Sequence, residues 1–267
     1  HRLIIDIPNT ISEIPQIIRK STTLYKRIRT SQYKNAPPST RIVFDLNSPV
    51  KNIKQSFNKN TLQLAIPISK KQTISQPKTK KPLTNKVIVL DPGHGGRDPG
   101  AIGSKNDYEK KYTLDIAKRL KKRLEKEGAY VILTRKRNRN TSLRRRVHIA
   151  NKNKADYFIS IHINSFKTRK ANGTETYYYK YKDKQLSRDI QREMAKTLKL
   201  KNNGIKRARL YVLRNTQMPS ALVEPLFITN QKEYKLLKDP NFREKIAISI
   251  QKGITTHAKR PTKKKKR

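Results

Sequence analysis

The run Val87-Ile-Val-Leu-Asp-Pro-Gly-His-Gly-Gly-Arg-Asp-Pro-Gly-Ala-Ile-Gly103 decides how the larger part of this chain folds. Its first four residues are apolar β-formers and read as a buried strand, which Pro92 and Gly93 end at once. His94 therefore stands at the C-terminal edge of a strand, among glycines that let backbone and ligand approach closely. In open α/β sheets that edge is where ligands bind. The arrangement recurs at Tyr157-Phe-Ile-Ser-Ile-His162, another apolar strand ending in a histidine. Two histidines at two strand ends suggest one metal site.

Around this run the pattern alternates. Strand candidates fall at 86–91, 130–135, 156–162, 174–179, 209–213 and 220–224, and helical patterns at 109–126, 142–153, 184–198 and 240–257. This predicts an α/β fold: a twisted, mostly parallel sheet of about six strands with helices on both faces.

A catalytic zinc takes about three ligands from His, Glu or Asp and keeps a position open for water. Of the five histidines, His1 and His257 lie near the termini, and His148 sits in a basic helical stretch. That leaves His94 and His162. Glu109 suits a third ligand because it opens the helix marked by Leu114, Ala117, Leu120 and Leu124, with Asp107 as its local competitor. A strand-end histidine also serves as a structural residue, and a first-turn glutamate as a partner of the helix dipole. Glu224 ends the apolar strand Ser220-Ala-Leu-Val-Glu224. There it either moves protons for a metal-activated water or pairs with one of many cations.

From about Lys86 to Thr256 the chain resembles the zinc-dependent N-acetylmuramoyl-L-alanine amidases of the amidase_3 type. The matching residues include Leu90-Asp-Pro-Gly-His-Gly-Gly96, Glu109-Lys110, Leu133-Thr-Arg135, Arg146, Ser160-Ile-His-Ile-Asn-Ser165, Gly173-Thr-Glu-Thr-Tyr177, Leu222-Val-Glu224 and Phe227-Ile-Thr-Asn230. The resemblance implies zinc ligands at His94, Glu109 and His162, with a catalytic glutamate at Glu224. It also implies cleavage of the amide between N-acetylmuramic acid and L-alanine in peptidoglycan, as in wall remodelling and daughter-cell separation. Some enzymes of this type carry a long helical insertion over the zinc. Residues 179–211 leave room for one helix and a turn, so the expected site is open without an activator.

Ahead of this segment, Arg2-Leu-Ile-Ile-Asp-Ile-Pro8 and Arg41-Ile-Val-Phe-Asp-Leu-Asn47 repeat one β pattern, and Thr61-Leu-Gln-Leu-Ala-Ile-Pro67 adds another alternating strand. Residues 1–68 resemble part of an AMIN domain, a small β-sandwich that targets such enzymes to the envelope. Residues 69–85 read as a linker, 86–258 as the catalytic domain and 259–267 as a disordered basic tail.

The chain has 267 residues, no cysteine and a formal charge of +45. Disulfides and thiolate ligands are excluded. No transmembrane run or signal peptide is visible, yet the implied substrate lies outside the cytoplasm, so a periplasmic or secreted protein is expected. The charge is spread over both segments and no nucleic-acid motif accompanies it, which argues against a specific nucleic-acid partner. It would favour a polyanionic wall. The competing readings are a non-catalytic envelope or peptidoglycan binder and a basic nucleic-acid binder.

Overall fold

The computed structural model describes residues 1–11, 16–18, 25–47, 49, 53–58, 61–65, 81–103 and 106–260. They fall into two compact units, His1–Lys80 and Lys81–Arg267.

The first unit is all β. Strands β1 (Arg2–Pro8), β2 (Gln16–Ile18), β3 (Tyr25–Asn35) and β4 (Pro38–Leu46) form an antiparallel sheet in the order β1-β4-β3-β2. A separate hairpin joins β5 (Lys54–Asn58) to β6 (Thr61–Ala65). The two repeats seen in the sequence are the paired strands β1 and β4, with Arg2 opposite Asp45 and Asp6 opposite Arg41. Each opposite pair is an ion pair, at 3.3 Å and 2.6 Å respectively. Asp45 is further bridged by Arg27 and Arg29 of β3.

The second unit is a six-stranded sheet ordered β11-β10-β12-β9-β7-β8. Its strands are β7 (Val87–Pro92), β8 (Tyr130–Leu133), β9 (Tyr157–Ile161), β10 (Thr174–Tyr178), β11 (Asn202–Arg207) and β12 (Ser220–Glu224). The four strands β8, β7, β9 and β12 are parallel. β10 runs against β12, and β11 runs with β10. The central strand β7 is buried along its whole length, as expected of a strand covered on both faces. Helices α1 (Glu109–Lys126), α3 (Lys184–Leu198) and α6 (Pro240–Ala258) pack together on one face. α2 (Leu143–Lys152) and α4 (Tyr211–Asn215) meet each other and the sheet on the other, and α5 (Gln231–Lys238) leads into α6. No helix among the described residues is long and apolar enough to cross a membrane.

Several expectations need correction. Residues 209–213 were expected to form a strand, but Val212 and Leu213 are buried in the short helix α4. The edge strand is β11 instead, whose Asn-Asn-Gly-Ile-Lys-Arg sequence has almost no apolar side chain to signal it. The α1 stripe runs through Thr113, Ile116, Ala117, Leu120 and Leu124, while Leu114 is only half-buried. Residues 81–85 are not linker: Leu83 is fully buried in the core of the second unit. Residues 66–80, and the tail from 261 onward, lie outside the described residues. Arg260, expected in the tail, pairs with Asp189 of α3 at 2.7 Å.

The α3–α6 contact is close because Gly253 offers no side chain. A Cβ there would stand 2.4 Å from the Ile190 Cα. Overpacking of a tight core costs about 1–3 kcal/mol. Gly253→Ala should lower unfolding stability by that amount in a urea titration.

Candidate functional site

The central strands β7, β9 and β12 end side by side, and their C-terminal ends carry the residues singled out in the sequence. Past Pro92 the chain turns through three successive left-handed residues, His94 (φ 59), Gly95 (φ 126) and Gly96 (φ 63). This turn directs the carbonyls of residues 92–94 inward, where water cannot satisfy them. Two buried arginines do so. Arg135 Nε donates to the Pro92 carbonyl at 3.0 Å and its Nη2 to the Gly93 carbonyl at 2.8 Å. Arg146 Nη1 donates to the Pro92 carbonyl at 2.7 Å and Nη2 to the His94 carbonyl at 2.8 Å. Asp91, also buried, pairs with Arg146 at 2.7 Å and accepts from Thr134 and Ser160. Burial, with repulsion from Arg146, lowers the Arg135 pKa to about 10, which still leaves it a cation at neutral pH.

Held this way, the His94 ring meets His162 and Glu109. His94 Nε2 stands 3.1 Å from His162 Nδ1 and 3.1 Å from Glu109 Oε2, and His162 Nδ1 stands 3.0 Å from Glu109 Oε1. The three donor groups lie within 4.8 Å of one another. Such edges approach the ~3.3 Å edge of a tetrahedron with metal–ligand bonds of ~2.0 Å. Two imidazoles and a carboxylate are also a donor set that suits zinc. Glycines make the convergence possible. A Cβ on Gly93 would stand 2.4 Å from the His162 ring, and one on Gly100 2.6 Å from both Glu109 and His94.

Glu109 opens α1 and turns inward. The Ala101 and Ile163 amides donate to its two oxygens, each at 2.8 Å. Burial works to raise its pKa, but the hydrogen bonds and charges of His162 and His94 bring it down to about 2. It is thus an anion prepared for a cation. Burial resists charging of His94, yet Glu109 and then Asp98 outweigh it and raise the His94 pKa. Asp98 bonds His94 Nδ1 at 2.8 Å and so fixes Nε2 as the free donor.

Glu224 is placed by the register of β12 on β9. Val223 lies opposite Ile161, so Glu224 stands beside His162. Across β10 it faces Glu175. Its Oε2 is buried and without a hydrogen-bond partner. Burial, then the negative charges of Glu109 and Glu175, push its pKa well above the ordinary glutamate range. Among the described residues it has no ion pair, so the alternative of a lysine or arginine partner is not what this structure places there. Asp107, the competitor to Glu109, lies away from the cluster and bonds Tyr112, Lys111 and Tyr234. His148 is exposed on α2, and His257 contacts Asp189.

Sequence reasoning missed the roles of Asp98, Arg135, Arg146 and Asp91. Asp98 had a local signal, four residues after His94 in the same loop; the arginines stood out only as positions matching the family, and nothing in their spacing among 64 lysines and arginines pointed to the His94 turn.

The family model described as N-acetylmuramoyl-L-alanine amidase, Amidase_3, matches residues 88–256. The N-acetylmuramoyl-L-alanine amidase LytC of Bacillus subtilis is 39% identical over 182 residues, which are 67% of this chain but 36% of that relative's length. The germination-specific N-acetylmuramoyl-L-alanine amidase of the same organism is 38% identical, over 65% of this chain and 80% of the relative. Among solved structures, the catalytic domain of CwlV from Bacillus (Paenibacillus) polymyxa var. colistinus superposes with a TM-score of 0.63 at 37% identity, covering 64% of this chain and 97% of that one. The amidase AmiC2 of Nostoc punctiforme gives 0.64 at 36% identity, covering 66% and 98%.

Outer-shell partners of ligating histidines typically contribute 10- to 100-fold to metal affinity. Asp98→Ala should weaken binding of a divalent metal ion at the His94, Glu109 and His162 group by that factor in a competition titration with a chelator. Because the Asp98 side chain is 55% exposed, thermal stability of the metal-free protein should stay nearly unchanged.

Proposed function

The chain belongs to the Amidase_3 family of N-acetylmuramoyl-L-alanine amidases, and we propose that it hydrolyses the amide joining N-acetylmuramic acid to L-alanine in peptidoglycan, using zinc held by His94, Glu109 and His162. The observation that carries this reading is the convergence of those three donors beside Glu224, a half-buried residue whose Oε2 is enclosed and without a hydrogen-bond partner.

When bound, zinc supplies Lewis-acid polarisation of the scissile carbonyl and lowers the pKa of a water to about 7. The rest falls to the chain. Glu224 accepts a proton from the attacking water and delivers it to the departing amine. A carboxylate whose environment raises its proton affinity suits both transfers. Glu109 remains ionised throughout, because it is pinned by two backbone amides and two imidazoles. Arg135 and Arg146 hold the His94 turn and take no part in proton transfer.

The first unit is the candidate for envelope targeting, as part of an AMIN-like domain, and the enzyme would act outside the cytoplasm, periplasmic or secreted, in wall remodelling and daughter-cell separation. The high positive charge would draw it to the anionic wall. Between β10 and β11 the chain forms a 3-10 turn (Tyr181–Asp183) and α3, which packs on the sheet. This supports a site that is accessible without an activator.

Incubation with purified peptidoglycan should release free stem peptides and leave glycan strands intact; cut glycosidic or peptide bonds among the products would overturn the reading. General acid–base groups contribute about 10²–10⁴-fold. Glu224→Gln should lose turnover by that factor and keep stoichiometric zinc, measured by metal analysis. His162→Ala should lose the zinc itself.

A further inference from the structure

In the first unit, β1 pairs with β4 on one side, and among the described residues no strand continues the sheet on the other. Hydrogen bonding shows which groups of β1 face that open edge. The Leu46 amide donates to the His1 carbonyl at 2.9 Å, so the rung joining positions 1 and 46 is a hydrogen-bonded one. Such rungs alternate along an antiparallel ladder. In the β1–β4 register the next ones are Leu3–Phe44, Ile5–Ile42 and Ile7–Thr40. The N–H and C=O groups of Arg2, Ile4 and Asp6 therefore point away from β4, into the open edge. Pro8 continues that series, at a position where a missing N–H removes no bond to β4.

This edge is complementary to itself. Laid antiparallel to its own copy about Ile4, it sets Arg2 opposite the partner's Asp6, Asp6 opposite the partner's Arg2, and Ile4 opposite the partner's Ile4. All three are hydrogen-bonded rungs, so every outward N–H and C=O of the three residues finds a mate. No other antiparallel alignment of the two edges meets both charges. The three side chains share one face and are exposed, Ile4 by 50%. Charges on an edge strand usually keep other strands away. Here their signs attract, and opposite charges and β-branched pairs stabilise facing strands. Asp6 is already held by Arg41 Nε and Nη2, each at 2.6 Å. A carboxylate has room for more donors, and Asp45 in the same sheet serves Arg2, Arg27 and Arg29 together.

We propose that β1 is a self-association surface, at which two copies of this chain join antiparallel and merge their four-stranded sheets into one continuous sheet. A single strand edge buries less than the ~1,000 Å² of a stable complex, so the dimer is weak and dissociates at about 0.1 mM. The proposal is independent of the amidase reading.

Sedimentation velocity of the full chain tests this, from about tenfold below to about tenfold above that constant. At ~0.15 M salt the screening length is ~8 Å, which keeps the +45 charge of each chain from masking the contact. The average mass should rise from one chain toward two. Residue 4 meets its own copy on the two-fold axis, so Ile4→Lys and Ile4→Glu should each abolish the rise by setting like charges together. An equimolar mixture of the two variants should restore it as a heterodimer. Because Ile4 is exposed, both variants should keep the circular dichroism of the parent. Mixing does not repair a damaged fold, so rescue separates an interface from a structural effect. The mass of one chain at every concentration would mean that the edge is covered within the chain, and would overturn the proposal. A dimer that persists in Ile4→Lys, or a mixture that stays monomeric, would overturn it equally.

Discussion

Two buried guanidinium groups facing three consecutive carbonyls make the site possible. At the left-handed turn of residues 94–96 the carbonyls of residues 92–94 are met by side chains, the two arginines and, at Gly93, the Thr113 hydroxyl. Leaving such groups unpaired in the interior costs more than the turn could bear. Arg135, just past the end of β8, and Arg146 of α2 reach them from two separate parts of the chain, and Asp91 balances part of the charge. The histidine ring is consequently aimed by the core of the sheet as well as by its own loop. A rigid base of this kind brings two imidazoles within 3.1 Å of each other, which an unsupported loop would not hold.

The two carboxylates of the site show how far position alone separates like groups. Glu109 is buried and Glu224 half-buried with its Oε2 enclosed, and desolvation raises the proton affinity of each. Glu109 is surrounded by donors: two amides and two imidazoles turn its balance toward the anion. Glu224 meets no donor at its buried oxygen and faces two other carboxylates, so the balance goes the other way. One group is made a permanent anion and its neighbour a proton carrier without any difference in side chain.

Much of this could be read before the structure was known, and the reasons are physical. The β7 run and the α1 stripe bury apolar side chains at fixed periods, so they announce themselves. His94, His162 and Glu224 follow because each ends an apolar strand at the edge where loops converge. What escaped has no periodic signature. β11 is a polar edge strand whose place depends on hydrogen bonds to β10, and α4 presents the same Val-Leu pair that a strand would. Leu83 sits alone in a polar stretch, so its burial depends on the fold around it. Arg135 and Arg146 carry part of the family resemblance, but what they do shows only in the carbonyls they meet.

The paired repeat of the first unit has a consequence for alignment. Alternation of half-buried and exposed residues along β1 disfavours a one-residue slip against β4, because every side chain would change face. It does not forbid a slip of two, which restores the faces. The Arg-x-x-x-Asp spacing closes that gap. Two antiparallel copies of it are complementary only when Arg2 meets Asp45 and Asp6 meets Arg41 at once. A shift of two residues would break both pairs together. The repeat therefore works as a lock whose two halves carry the same key, and it sets the strands in the one position that apolar packing alone would leave ambiguous.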